Sequence, residues 1–460
     1  MAKVKEQYVN STGERYAYGF YFFGQLIFYI IVSSFLQLYL TNIGIPAAVV
    51  GVIFMFAKVW DAINDPMFGV IVDKTNLKAG KYLPWIRISS FLIPLATIFL
   101  FAIPSGVSPQ IKIFWAAFGY ILWDTSYTIC DVPIFALATS MTNNVKERDN
   151  LFIINRFFGL MGGLITLLLV PMLYPNIGWT ATIIIIAVVG MLTMIPVGYR
   201  CKERFVVPQE NSPTIKELFH YLIKNKPLLI FSAAIIVMSI TNTAGTMQAY
   251  TAIYCLGGPE WITIMALVST LPTLIVVAFA QKIISKVEKK PILLVSVSVN
   301  LALGIVLYFI GYENHVLFLL ICLIRSIFSS MLSVITVMFV ADCAEYGNFV
   351  TGKRAQGVAF SVQTFTAKIT AAISSTIGMF LLGIIGFQSG SEVVQDSATI
   401  AWIWKFYTLV PVVSGSAAVL ILLIGYQLSN KEVSIMLKCN QGEITKEEAN
   451  ALLKNDRKSR

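Results

Sequence analysis

The residues able to do chemistry in this chain sit where charge is least expected. In the stretch AKVWDAINDPMFGVIVDK, Asp61 and Asp65 are four residues apart and share one helix face, with Asn64 beside them. Two carboxylates so close repel each other unless a cation lies between them or one takes a proton. Carboxylate, amide and hydroxyl oxygens are hard ligands that suit a small cation. Asp73, at the end of the same stretch, reads as a solvated terminal charge. A second stretch, YILWDTSYTICDVPIFALA, sets Asp124, Tyr127, Thr128 and Asp131 at i, i+3, i+4 and i+7, a single stripe. Such a stripe can hydrogen-bond sugar hydroxyls or complete a cation shell. The bland alternative is a polar helix–helix contact, for which two acids are more than is needed. Pro133 weakens the backbone ladder just beyond.

Positive partners follow. Arg156 stands in LFIINRFFGLMGG, Lys368 in FSVQTFTAKITAAISS, and Lys58 one turn before Asp61. A lysine at membrane depth that cannot snorkel must be paired or face water. Arg156 and Lys368 are therefore the expected counter-charges for Asp61, Asp65, Asp124 and Asp131, a static structural ion pair being the alternative. Arg325 and Lys405 are weaker cases of the same kind, and Gly159, Gly162 and Gly163 read as a surface for close helix packing. His220 and His315 fall in connections and are expected to be solvated. The six cysteines form no CxxC pair, and with two histidines a zinc site is not expected. No nucleophile stands with a base inside an apolar run, so the chain does not read as an enzyme, and neither a cofactor nor a catalytic residue is expected.

The elements that must position these groups are membrane helices. Of 460 residues, 57% are hydrophobic and 13% are charged, about half the charge of a soluble chain, which carries roughly 25%. Mean hydropathy is +0.75, which excludes both a cytosolic enzyme and a disordered chain. Twelve apolar runs are long enough to cross a bilayer: 17–41, 46–72, 86–104, 110–138, 150–174, 179–199, 227–250, 260–283, 290–311, 315–341, 354–387 and 400–428. Only helices satisfy their backbone groups inside lipid without closing a barrel.

One set of connections holds Lys74, Lys78, Lys81, Lys146, Arg148, Arg200, Lys202, Arg204, Lys224, Lys226, Lys286, Lys289, Lys290, Lys353 and Arg354. The alternate set (NIGIP, PSGVSPQ, YPNIGW, TAIYCLGGPE, GYENH, FQSGSEVVQDS) holds no Lys or Arg. The positive-inside rule puts both termini in the cytoplasm of a plasma-membrane protein. The net charge of +10 is then topology, and nucleic acid is not needed as a partner. The longest polar connection divides the chain into a six-helix bundle over 1–199, a cytoplasmic middle loop over 200–226, a second bundle over 227–428 and a cytoplasmic tail over 429–460. In the tail, ITKEEANALLKN reads as a helix capped by Thr445. Halved twelve-helix bundles are the usual frame of secondary transporters.

The segments WDAINDPMFGVIVDKTNLKAGKYLPW, YTICDVPIFALA, ADCAEYGNFVTGKRAQGVAFSVQTFTAK and YGFYFFGQ together resemble the glycoside–pentoside–hexuronide:cation symporters, a branch of the major facilitator superfamily that includes the melibiose permease. The resemblance runs from about Tyr18 to Lys431. It implies an all-α fold of two pseudo-symmetric six-helix bundles with alternating access, moving a sugar together with Na⁺, Li⁺ or H⁺, and working as a monomer. It assigns the coupling cation to Asp61 and Asp65, with Asn64 and Thr128 at or near that site. It assigns sugar hydroxyls to Asp131 and Arg156, with the aromatic just after the aspartate, Phe135, stacking on the ring, and it places Lys368 close to the cation; Tyr127 on the stripe is the other candidate ring.

Three departures stand out. Gly24-Gln25-Leu26 replaces the permease's Gly-Lys-Asp, so a sugar-binding carboxylate is missing; Phe135 replaces a Trp; and Asp124 replaces a small residue. Either Asp124 takes over hydroxyl recognition or Arg156 is left to pair with a uronate. Competing readings are a sodium-coupled lysophospholipid carrier, which needs an apolar cavity, and a non-transporting sugar sensor, which needs a larger cytoplasmic extension.

Overall fold

The computed structural model describes residues 9–75, 77, 80–205, 222–284, 289–351, 356–390 and 393–458. Twelve long helices follow one another: α1 (Thr12–Asn42), α2 (Ala47–Lys74), α3 (Leu83–Leu100), α4 (Pro109–Met141), α5 (Val145–Ile177) and α6 (Trp179–Arg200), then α7 (Lys226–Cys255), α8 (Glu260–Ile284), α9 (Lys289–Ile310), α10 (His315–Thr351), α11 (Gln356–Ile384) and α12 (Ser397–Gly425). Each overlaps one of the apolar runs, with ends that agree within about five residues except in α10, which continues ten residues past its expected end at 341. Two short helices complete the chain, α13 (Asn430–Asn440) and α14 (Lys446–Lys458). Among the described residues the chain is helical, and ten helices are long and apolar enough to cross a membrane. The other two long ones are α4, whose polar stripe dilutes its hydropathy, and α8. His220, Lys78, Lys286, Lys353, Arg354 and much of the 200–226 connection lie outside the described residues.

Local chemistry starts the helices where the sequence turns apolar. Ser11 and Glu14 form a capping box at α1, each side chain taking the other's backbone N–H at 3.2 and 2.8 Å. Asn144 caps α5, accepting from the backbone of Lys146 and Glu147. Glu203, from the segment after α6, accepts from the backbone N–H groups of Lys81, Tyr82 and Leu83 at 2.8 Å, answering the orphan donors that open α3. Helix α7 is interrupted by a 3₁₀ turn over Ile240–Asn242. Hydroxyls from neighbouring helices support that break: Ser374 donates to the Ser239 carbonyl at 2.8 Å, and Thr241 meets Ser414 at 2.8 Å.

The contacts divide the chain into two compact units. The first holds Met1–Gln209 with the segments Gln248–Ala266 and Gly378–Ile400. Within it α1 packs on α5 and α6, α3 on α4 and α6, and α2 on α4. The α1–α5 crossing depends on missing side chains. A Cβ at Gly162 would lie 2.1 Å from the Phe23 carbonyl oxygen, so the two backbones approach as only glycine permits, and Gly24 sits likewise against the Gly190 carbonyl of α6 at 2.5 Å. At the same end of this unit as the α5 cap, fully buried Glu147 accepts from the Asn10 backbone at 2.8 Å and the Thr142 hydroxyl at 2.6 Å. Arg204 joins Glu14 at 2.7 Å. Thr41 of α1 and Tyr250 meet hydroxyl to hydroxyl at 3.0 Å, also inside this unit.

The second unit holds Glu210–Met247, Leu267–Ile377 and Ala401–Arg460. Its core gathers Phe231, Ile335, Phe339, Cys343, Ala359 and Tyr426, and the tail is folded onto it. Met436 and Ala449 are buried in that cluster, and the Asn440 amide donates to the Glu345 carboxylate at 2.7 Å. The expected tail helix is α14, started by reciprocal bonds between Thr445 and Glu448. The turn that opens α13 carries a second capping box, Ser429 with Glu432, which the sequence reading did not single out.

Substituting Gly162 tests the α1–α5 crossing. Gly162→Ala and Gly162→Val should overpack it, at a cost of about 1–3 kcal/mol or more, and lower the thermal midpoint of the detergent-purified protein by several degrees. An unchanged midpoint for Gly162→Val would contradict the close approach.

Candidate functional site

The acids of α2 meet the stripe of α4 through one hydrogen-bonded chain. The Asn64 amide donates to the Thr128 hydroxyl at 2.8 Å, and that hydroxyl donates to Asp65 Oδ1 at 2.8 Å. The hydroxyl also lies 3.2 Å from the Asp124 carbonyl one turn back on its own helix. Asn64 and Thr128 are buried, and Asp65 is half-buried. Trp60 donates from its indole nitrogen to Thr125 at 2.9 Å, a third α2–α4 bond. The cation residues inferred from the sequence, Asp61, Asn64, Asp65 and Thr128, therefore lie on adjacent faces of two packed helices.

Lys58 belongs to the same region. Its ammonium lies 3.7 Å from Asp61 Oδ2, the two side chains being 22% and 18% exposed. It also interacts electrostatically with Tyr120 and Asp124 of α4 and with Tyr29 of α1. Asp124 is 4% exposed. A buried carboxylate is costly unless an opposite charge or hydrogen bonds answer it.

One turn along α4 from Thr128 a second polar centre forms. Asp131 Oδ1 accepts from the Gln25 amide of α1 at 2.6 Å. Gln25 is 1% exposed, and its own carbonyl oxygen has no hydrogen-bond partner. Aromatic rings border this centre: Tyr127 stacks on Trp123 at 5.2 Å and lies 5.7 Å from Tyr29. Phe135 meets Phe22 edge-on at 5.2 Å and keeps 46% of its surface exposed. Leu26, where the resemblance expects an acid, packs toward Gly159 of α5, one turn from Arg156, with a Cβ at Gly159 standing 3.3 Å from its side chain. Arg156 is exposed and has no ion-pair partner among the described residues.

The structure thus gathers Lys58, Asp61, Asn64, Asp65, Asp124, Tyr127, Thr128, Asp131, Phe135 and Arg156 into the first unit, on α2, α4 and α5. Lys368 is half-buried on α11 in the second unit. Arg325 interacts with Cys322 and Tyr407 of that unit, and Lys405 sits 4.4 Å from the centre of the Trp402 ring. His315 is the exposed first residue of α10. The sequence reading treated Gln25 only as a departure and passed over Trp60 and Trp123. A lone amide in the apolar run YGFYFFGQLIFYI was the signal for Gln25, since such a group must find a partner.

Comparison with known proteins agrees with this architecture. The profile of the family described as MFS/sugar transport protein matches residues 17–430. The uncharacterized symporter YjmB of Bacillus subtilis (strain 168) is 27% identical over 434 residues, covering 92% of this chain and 94% of that protein. The isoprimeverose transporter of Lactiplantibacillus pentosus is 25% identical, covering 96% and 94%. A crystal structure of a bacterial homologue of the iron transporter ferroportin, in an inward-facing state, superposes with a TM-score of 0.67 at 14% identity over 91% of this chain and 98% of that one, which speaks to the fold alone. The family is one of transporters and not enzymes. This chain, with its membrane-spanning helices and its acids on α2 and α4, belongs to the MFS/sugar transport protein family, among the glycoside–pentoside–hexuronide type symporters of the major facilitator superfamily.

Proposed function

We propose that this protein imports a sugar or glycoside across the plasma membrane by cation-coupled symport, with both termini in the cytoplasm. The observation that carries the reading is the Asn64–Thr128–Asp65 chain, which ties the α2 acids to the same α4 stripe that presents Asp131 one turn away. A change of charge at the α2 acids moves Thr128, and Thr128 shares its helix face with Asp131. Ion and sugar then alter each other's affinity reciprocally, by typically 1–3 kcal/mol. The unneutralised acid pair resists burial, so only the empty or fully loaded carrier closes. The relatives support this reading through their names, a symporter and an isoprimeverose transporter. Coupling through Lys368, implied by the resemblance, is part of the proposal, with Lys368→Ala as its test.

For the sugar, Asp131 and Gln25 offer hydroxyl-binding groups, and Phe135 offers an exposed ring face. The charge balance favours an acidic glycoside. Leu26 supplies no carboxylate to Arg156, so the guanidinium is left for a planar anion such as a uronate, which it can bind bidentately. Hydroxyl recognition is assigned to Asp131, which already accepts from the Gln25 amide. The polar stripe disfavours a lysophospholipid as cargo.

The test is uptake into proteoliposomes of a panel of neutral glycosides, pentosides and uronides under imposed ion gradients. A uronide should be concentrated above equilibrium and preferred over its neutral parent by about tenfold or more, the scale of one charge-assisted pair. Leu26→Asp should reverse that preference by answering Arg156 internally. If neutral and acidic sugars are taken up alike, and Leu26→Asp changes neither, the uronide assignment fails. If no sugar is concentrated under any gradient, the symport reading fails with it.

A further inference from the structure

Helix α7 carries polar groups at its middle that the symport proposed above does not use. Its 3₁₀ turn, Ile240–Asn242, lies midway between Lys226 and Cys255. At that depth irregular backbone survives only where it is buried in protein or lines a watered cavity. One side of the turn is answered by protein, through the Ser374 bond to the Ser239 carbonyl and the Thr241–Ser414 contact. The other side is not. Threonines elsewhere in these helices turn back on their own backbone: Thr97 donates to the Ile93 carbonyl, Thr166 to Gly162 and Thr408 to Trp404, at 2.7, 2.9 and 2.8 Å. Asn242 and Thr246 have no hydrogen-bond partner among the described residues, and neither does the fully buried Thr243 hydroxyl. Asn242 is exposed, and so is Gly245 three residues on, where an added Cβ would meet no atom within 4 Å. Thr246 follows Asn242 by four residues and is half-buried, so the three positions share one side of the helix. A primary amide turned to hydrocarbon without a partner is costly, whereas beside water or a polar ligand it is a ready donor and acceptor. No charged residue falls between Ser239 and Tyr250, so the surface is neutral and matches sugar hydroxyls, which also donate and accept.

We propose that Asn242, Gly245 and Thr246 form a hydroxyl-binding surface of the second unit, which holds the neutral hydroxyls of the transported glycoside and limits its size. The inference rests on the sugar-transport reading above and adds a specificity surface to it. Asn242 supplies the amide, Thr246 the hydroxyl and Gly245 the clearance, because a large side chain there would fill the open space beside the helix. The Ser374 and Ser414 contacts secure the turn from behind, so the interruption of α7 is supported on the protein side and open on the ligand side.

The experiment compares wild type with Gly245→Ala, Gly245→Leu and Asn242→Ala, each purified at full length. Thermal midpoints are measured in detergent, and counterflow of a panel of labelled glycosides is measured in proteoliposomes, which reads sugar exchange without an ion gradient. Both glycine substitutions should keep or raise the midpoint, since either side chain favours the helix more than glycine does and meets nothing beside it. Gly245→Ala should retain most of the exchange, and Gly245→Leu should lower it about tenfold or more, most of all for the bulkiest glycoside. Asn242→Ala should raise the sugar concentration for half-maximal exchange about tenfold, the scale of one or two hydrogen bonds, and leave the dependence on ion concentration as in wild type. A folded Gly245→Leu that exchanges sugar as wild type does overturns the inference, because that face is then turned to lipid. An Asn242→Ala that shifts the ion dependence and not the sugar dependence overturns it too, because the surface then serves the cation. If Gly245→Leu does not fold, Asn242→Ala decides alone, and an unchanged half-maximal concentration overturns the inference. Wild type that exchanges none of the sugars overturns the sugar-transport reading, and this surface falls with it. Exchange without accumulation under any gradient overturns only the coupling, and the variants still decide the role of Asn242 and Gly245.

Discussion

A carboxylate inside a bilayer must be answered by an opposite charge, by hydrogen bonds or by a bound ion, and α2 and α4 are arranged around that demand. On these helices Asp61 has Lys58 at 3.7 Å, Asp65 takes the Thr128 hydroxyl and Asp131 takes the Gln25 amide, while Asp124 is 4% exposed.

The rest of the first unit holds these answers in place. Gln25 reaches Asp131 because α1 lies against α5 and α6 at glycine distance, with Gly162 on Phe23 and Gly24 on Gly190. A bulkier residue at either crossing would move the amide away from its acid. The α3 and α5 starts are fixed by Glu203 and Asn144, and Glu147 holds the chain before α1. The frame is made of backbone contacts and caps that draw on none of the polar stripe residues of α2 and α4.

Much of this was legible in the sequence. Twelve apolar runs gave the helices, because apolar length is a direct measure of what a bilayer demands, and the i, i+4 and i, i+7 spacings placed the acids on common faces. The GLMGG packing surface was likewise readable from its small residues. What escaped the reading were relations between helices. Arg156 and Lys368 were expected to answer the acids; in the structure Lys58 stands 3.7 Å from Asp61 and Arg156 is exposed. Spacing along one helix reports a face but not its partner, so Gln25, seen only as part of a departure in the first helix, could not be recognised as the ligand of Asp131. The capping box at Ser429 and Glu432 lies in the same polar tail as the Thr445 cap and was not singled out.

In the proposed symport, charge at the α2 acids drives sugar uphill through Thr128. Its most direct test is the accumulation ratio of the transported sugar in proteoliposomes carrying Asp65→Asn, with sugar counterflow measured in the same preparation. The account predicts that the variant still exchanges sugar across the membrane but only equilibrates it, while wild type concentrates it about tenfold or more. Accumulation by Asp65→Asn equal to wild type would contradict the account.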